Sequence, residues 1–282
     1  MNHNITEFQS LVWDFYHKNS RSFAWRNIDD AYYILVSEVM LQQTQTHRVI
    51  KKFEEFVTIF PTIDTLAQAS LRDVLNVWQG LGYYRRARYI HQAAKVIVEQ
   101  YNGKIPHDIK ILTTLPGIGI NTASSVCAFA WNQPTVFIET NIRAVFIHHF
   151  FSMKTDIADK ELLPFVAAAV DKKNPREWYY ALMDYGVWLK SEYKNPSRKS
   201  LHYTKQSKFD GSDRQIRAAI LKLIAEKDMI SSADILTMIK HIRRSFNQGV
   251  SDHLRIEKII KQLESENFIV KCVQNMYTIS SS

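Results

Sequence analysis

The chain has 282 residues, 46% of them hydrophobic and 23% charged, which is an ordinary globular balance and excludes a wholly disordered polypeptide. No run approaches the roughly 18 consecutive apolar residues of a membrane span, and Met1 to Ser20 mixes polar and aromatic residues without the parts of a secretory signal. Lysine and arginine total 36 against 28 acidic residues, a net charge of +8 that suits a polyanionic partner as well as simple solubility. The two cysteines, Cys127 and Cys272, are too few for a disulfide framework, a cysteine-based zinc site or a four-thiolate iron–sulfur cluster, and fit a reducing cytoplasm.

From residue 1 to about 192, apolar residues recur at helical spacing, as in Phe8-Leu11-Val12-Phe15, Leu71-Val74-Leu75-Trp78 and Ile90-Ala93-Ala94-Ile97. About ten helices are predicted, with Thr6, Ser70 and Asp159 as N-caps, and Thr135 to Ile138 as the one extended segment. Asn195 to Arg217 breaks the pattern: six basic residues against two aspartates, with Pro196 and Gly211, read as a basic linker that either contacts phosphates or is merely solvated. From Ser212 three helices follow. The first is carried by Ile216-Ile220-Leu223-Ile224, the second runs from a Ser232 cap to near Arg244, and the third starts at Ser251 or Asp252. Phe268-Ile269-Val270 and Met276 to Ile279 flank a turn at Gln274-Asn275, giving a winged-helix-like unit. The expected division is 1–194, a linker at 195–211, and 212–282.

Four strings carry chemistry. Ser37 to Gln45 places Glu38, Gln42 and Gln45 at i, i+4 and i+7 of an amphipathic helix. An acid among apolar neighbours has a raised pKa and donates a proton; the competing reading is a solvated polar face. Trp78 to Arg88 puts Tyr83 and Tyr84 beside Arg85, Arg86 and Arg88 after two glycines, suited to a strand opened at one base or, alternatively, to a helix cap with buried tyrosines. Leu115-Pro116-Gly117-Ile118-Gly119-Ile120-Asn121-Thr122 reads as a helix–hairpin–helix, whose glycines admit another backbone and whose second helix offers amides to one phosphate. Glu139, followed by Thr140 and Asn141, stands just past an apolar run, where a carboxylate stabilises positive charge on a sugar during glycosidic cleavage, or simply caps a helix.

Together these strings resemble the DNA glycosylases of the helix–hairpin–helix (HhH-GPD) superfamily, and within it the MutY family of adenine DNA glycosylases. Ser37 to Gln45, Trp78 to Tyr84, Leu115 to Gly119 and Met183-Asp184-Tyr185-Gly186 carry the likeness, over residues 5 to about 190. The resemblance implies an all-α, two-lobed glycosylase domain followed by the winged-helix-like (α+β) unit, an active site between the lobes, and a target nucleotide flipped from the duplex. Glu38 matches the acid that protonates the departing adenine, and Asn141 an active-site asparagine. Gln42, Gln43 and Tyr83 match residues that plug or wedge the duplex, and Arg86, Gly117, Gly119, Asn121 and Thr122 join them as DNA-binding residues. Three departures stand out. Glu139 replaces the family aspartate, Asn121 replaces the lysine nucleophile of bifunctional members, and no cysteine follows Gly186 where four normally do.

The expectation is a cytoplasmic, or in a bacterium nucleoid-associated, monofunctional glycosylase of base excision repair acting on adenine opposite 8-oxoguanine or guanine. Its partner is double-stranded DNA with a mismatch or lesion, without a membrane. It has no iron–sulfur cluster or other metal cofactor, apart from a monovalent cation that the resemblance places at the hairpin. The alternatives are a glycosylase for another damaged or deaminated base, or a non-catalytic DNA-binding protein. The basic helix with Lys240, His241, Arg243 and Arg244 is suited to contact DNA or, equally, to pack against the first domain or a partner.

Overall fold

The computed structural model describes residues 5–206, 208–244, 253–272 and 275–281, with side chains throughout except at 240–244 and 253. The helices are α1 (Ile5–Asn19), α2 (Ala31–Leu41), α3 (Thr46–Ile59), α4 (Ile63–Gln68), α5 (Leu71–Val77), α6 (Arg85–Tyr101), α7 (Ile109–Leu112), α8 (Ile120–Trp131), α9 (Thr140–Phe150), α10 (Asp159–Ala169) and α11 (Pro175–Glu192). They are followed by α12 (Asp213–Lys227), β1 (Ile230–Ser231), α13 (Ser232–Arg244), α14 (His253–Ser265), β2 (Ile269–Lys271) and β3 (Met276–Ile279). Among the described residues no helix is long and apolar enough to cross a membrane.

The chain forms two compact units, each assembled from two separate stretches of sequence: Met1–Glu38 with Ile105–Lys205, and Val39–Lys104 with Gln206–Ser282.

In the first unit, α8, α9 and α11 supply the centre. Trp178 and Tyr179 are fully buried, Phe129 stacks on Tyr180 with centroids 4.6 Å apart, and Phe8 meets Trp178 edge-on. Asp184 of α11 is the polar anchor. Its two oxygens accept both Nη atoms of Arg26 at 2.8 Å and the Nε and backbone N of Arg21. Arg26 lies in a 3-10 turn, Ala24–Arg26, and its guanidinium also sits over the Tyr180 ring at 4.5 Å.

Several local expectations are corrected. Ser70 caps α5 as read, but Ala158, not Asp159, precedes α10, because Asp159 is held in a bidentate pair with Arg143. Thr135 to Ile138 has no ladder partner. It is an irregular segment in which Thr135 is fixed by donation to Ser124 O at 2.7 Å and acceptance from Tyr179 Oη at 2.6 Å. Asn195 to Ser200 is also more than a solvated crossing: Pro196 and Ser197 are buried in a 3-10 turn, and Ser197 Oγ donates to Thr140 O.

The second unit packs α12 against α5. Arg72 reaches from α5 to the carbonyls of Ile224, Ala225 and Asp228, closing the exposed end of α12. Three helices and an antiparallel sheet in the order β1-β3-β2 make up the C-terminal part of the unit. β1 pairs Ile230 with Tyr277, and β2 pairs Ile269 with Ile279. β1 was not anticipated because two residues show no alternation. Ser231, rather than Ser232, accepts the Asp234 amide at the start of α13. Ser251, Asp252 and Gln274, and the side chains of Lys240, His241, Arg243 and Arg244, lie outside what is described.

Asp184 is 3% exposed, so its replacement strands two arginines. Asp184→Ala is expected to cost about 3–5 kcal/mol in chemical denaturation. Pairing it with Arg26→Met is expected to recover part of that loss.

Candidate functional site

Glu38 lies in the last turns of α2, within the first unit. Its carboxyl Oε2 accepts a 2.5 Å hydrogen bond from Ser125 Oγ of α8. Burial pushes its pKa from the ordinary 4.5 up to about 7; the Ser125 bond opposes the rise, a neighbouring Glu139 adds to it, and Arg26 opposes it. The two acidic residues singled out from sequence therefore sit in one electrostatic neighbourhood.

Glu139 is the N-cap of α9. Its Oε1 accepts the amides of Asn141 at 2.7 Å and Ile142 at 2.9 Å, and its Oε2 accepts Asn141 Nδ2 at 3.1 Å. The capping reading is thus realised in the structure, and Oε2 keeps acceptor capacity beyond its single bond. Asn141 Oδ1 is buried and takes no hydrogen bond from described groups of the protein. The reason α11 lies so close is Gly186: a Cβ there would stand 2.5 Å from Asn141 O. This glycine serves the approach of two helices rather than a turn.

The hairpin is a tight turn closed by Ile118 N donating to Leu115 O at 3.2 Å. Pro116 and Gly117 occupy its central positions, and Gly117 has φ +74°, the type II pattern that admits glycine at the third place. Gly119 then caps α8 with extended backbone, and a Cβ on it would meet nothing within 4 Å. Gly117, Gly119, Ile120 and Asn121 are all exposed, so the first amides of α8 open outward beside Thr122; Asn121 Nδ2 meanwhile donates to Ile138 O.

The remaining sequence-selected residues belong to the second unit. α2 stops at Leu41, so Gln42 and Gln45 do not share a helical face with Glu38: Gln43 takes φ +54° and Gln45 caps α3. The cause is Arg86. Its buried guanidinium collects the carbonyls of Val39, Met40 and Gln42 at 2.7–2.8 Å, together with Thr44 Oγ1 and Gly82 O. Expected among DNA contacts, Arg86 instead fastens the end of α2 to the glycine loop. Tyr83, in that loop, holds the left-handed φ of +48°, and its hydroxyl accepts from Gln206 and from Arg214. A cavity of about 820 Å³ is lined here by Gln42, Gln43, Tyr83, Phe209 and Arg214. Sequence reading missed Gln206, Phe209 and Arg214 as partners of this loop, because nothing local ties residues more than 120 apart.

The resemblance would bring thiolates after Gly186. Residues 187–206 instead offer hydroxyls, one proline and cations, and Cys127 and Cys272 belong to different units. This donor set does not fit an iron–sulfur cluster. Backbone bonds hold the stretch in place, Ile157 N to Lys199 O and Leu201 N to Ile157 O, both 3.0 Å.

Two expectations follow. A carboxyl with a raised folded-state pKa makes folding take up a proton, so it lowers stability as pH climbs from about 4.5 through about 7. Glu38→Gln removes that dependence, and its Tm relative to wild type is expected to be higher at pH 8 than at pH 5. Gly186→Ala forces α11 off the α9 terminus and is expected to lower Tm and slow any chemistry at Glu139 together.

Residues 36–165 match the HhH-GPD superfamily of base excision DNA repair proteins. The chain is 32% identical to the adenine DNA glycosylase of Mycobacterium tuberculosis (strain CDC 1551 / Oshkosh) over 247 residues, covering 78% of this chain and 79% of that one. It is 33% identical to the adenine DNA glycosylase of Buchnera aphidicola subsp. Baizongia pistaciae over 190 residues, spanning 66% of this chain but only 54% of that relative. Among solved structures, a thermostable thymine-DNA glycosylase shares the fold with a TM-score of 0.61 at 22% identity, over 69% of this chain and 91% of that one. The chain belongs to the HhH-GPD superfamily of base excision DNA repair proteins, in its adenine DNA glycosylase family.

Proposed function

We propose that this protein is a monofunctional DNA N-glycosylase that hydrolyses the bond between deoxyribose and a flipped-out adenine mispaired with guanine or 8-oxoguanine. The observation that carries the reading is Glu38, a carboxyl with a pKa near 7 placed beside a second carboxylate. A purine accepts a proton on its five-membered ring and leaves as a neutral base; a pyrimidine has no such ring. Glu38 in its acid form supplies that proton. The positive charge that builds on the sugar is stabilised by the Glu139 carboxylate, which Asn141 Nδ2 helps to hold, and water completes hydrolysis by adding to the sugar carbon while its proton passes to the Glu38 carboxylate left by the first step. Ser125 fixes the direction of the Glu38 carboxyl by donating to Oε2.

The outward-facing amides of α8 and the glycine turn suit one phosphate of double-stranded DNA. Gln42, Gln43 and Tyr83 suit the gap left in a base stack. Asn121 is an amide and cannot form an imine with the sugar, so strand cleavage is not part of the reaction. The adenine DNA glycosylases of the family supply the choice of base.

The test is single-turnover cleavage of a duplex with one adenine opposite guanine or 8-oxoguanine, developed with alkali. Adenine is expected to be released, with strand scission only after alkali. Glu38→Gln is expected to slow release by about 10²–10⁴-fold at unchanged DNA affinity. The active form is the protonated one, so the wild-type rate is expected to be level below pH 7 and to fall as pH rises past about 7. Release of a pyrimidine, or a Glu38→Gln protein of full activity, refutes the reading.

A further inference from the structure

Glutamate carries one more torsion than the aspartate or asparagine that commonly caps a helix, so its carboxylate needs an outside hold to keep one orientation. Three donors on α9 supply part of it. Against them stands Glu38, which repels the Glu139 carboxylate whenever it has given up its proton. The charged groups around this pair are few: Arg26 faces Glu38, Arg21 is engaged by Asp184, and Lys190 of α11 faces Glu139.

Lys190 lies four residues after Gly186, on the same side of α11 as the glycine that touches the Asn141 backbone. It is half-buried, and among the described residues it forms no direct ion pair. The geometry points to Lys190 as the positioning residue of Glu139: its ammonium, one turn beyond the Gly186 contact, holds the carboxylate at the start of α9 by electrostatic attraction. Burial pushes this ammonium below the ordinary lysine value, Arg21 pushes the same way, and Glu139 pulls it back up. An ammonium kept partly out of water without a hydrogen-bonded anion is costly unless a charge of opposite sign lies near, and Glu139 is that charge. The inference rests on the reading of Glu139 as the carboxylate that faces the reacting sugar.

The experiment compares full-length wild type, Lys190→Met and Lys190→Arg on the adenine-containing duplex. Lys190→Met is expected to lower the single-turnover rate by about 10–100-fold, the size of effect seen for roughly an ångström of misplacement, with DNA affinity within about threefold. Lys190→Arg is expected to regain most of the rate. Equal loss in both variants, or a loss of affinity without loss of rate, overturns the inference. A second measurement needs no activity: thermal unfolding of Lys190→Met in the wild-type and Glu139→Gln backgrounds. The lysine is expected to matter for Tm only where Glu139 is present; equal shifts in both backgrounds overturn the coupling. A Glu139→Gln protein of full activity, with the Tm coupling intact, would instead remove the reading of Glu139 and leave the pairing standing.

Discussion

Buried Asp184 gathers buried Arg26 and half-buried Arg21 into one cluster, and the candidate chemistry is built around it. Both Nη atoms of Arg26 are committed to its oxygens. The same cation opposes the rise in the Glu38 pKa and lies over the Tyr180 ring. Two residues further along α11, Gly186 lets that helix touch the backbone at Asn141. One short run of α11 therefore sets both the electrostatics near Glu38 and the distance to the cap of α9. A buried ion cluster contributes little net stability compared with apolar packing, so its value here is placement.

The two carboxyls illustrate how similar groups acquire different roles from their surroundings. Glu38 has one hydroxyl donor and much burial, which favours its acid form. Glu139 accepts from two backbone amides and a side-chain amide, which hold its carboxyl at the start of α9. Their separation of duties does not depend on residue type, since both are glutamates. It depends on one being held by a helix interior and the other by a helix terminus.

Much of this was legible in the sequence because it is local. Gly117 after Pro116 announces a tight turn, Ser70 announces a helix start, and the two runs near residues 269 and 279, on either side of a turn, announce paired strands. The resemblance to known glycosylases supplied what periodicity does not carry, namely the pairing of Glu38 with Glu139. What stayed hidden was set at long range. α2 ends at Leu41 because Arg86, far along the chain, gathers its last carbonyls. The segment after Thr135 remains irregular because Tyr179 takes up one of its carbonyls. Gln206 and Arg214 meet Tyr83 only after the C-terminal part of the second unit has packed.

Each compact unit is stitched from two stretches that alternate along the chain. During synthesis, the first 38 residues leave the ribosome before any of their packing partners beyond residue 105 exist. Residues 39–104 in turn wait for the stretch after 206. Neither unit is able to complete its core while the other stretch is still being translated, so early helices persist with apolar faces uncovered. Such interleaving raises the sequence separation of native contacts and makes folding late and slow to nucleate.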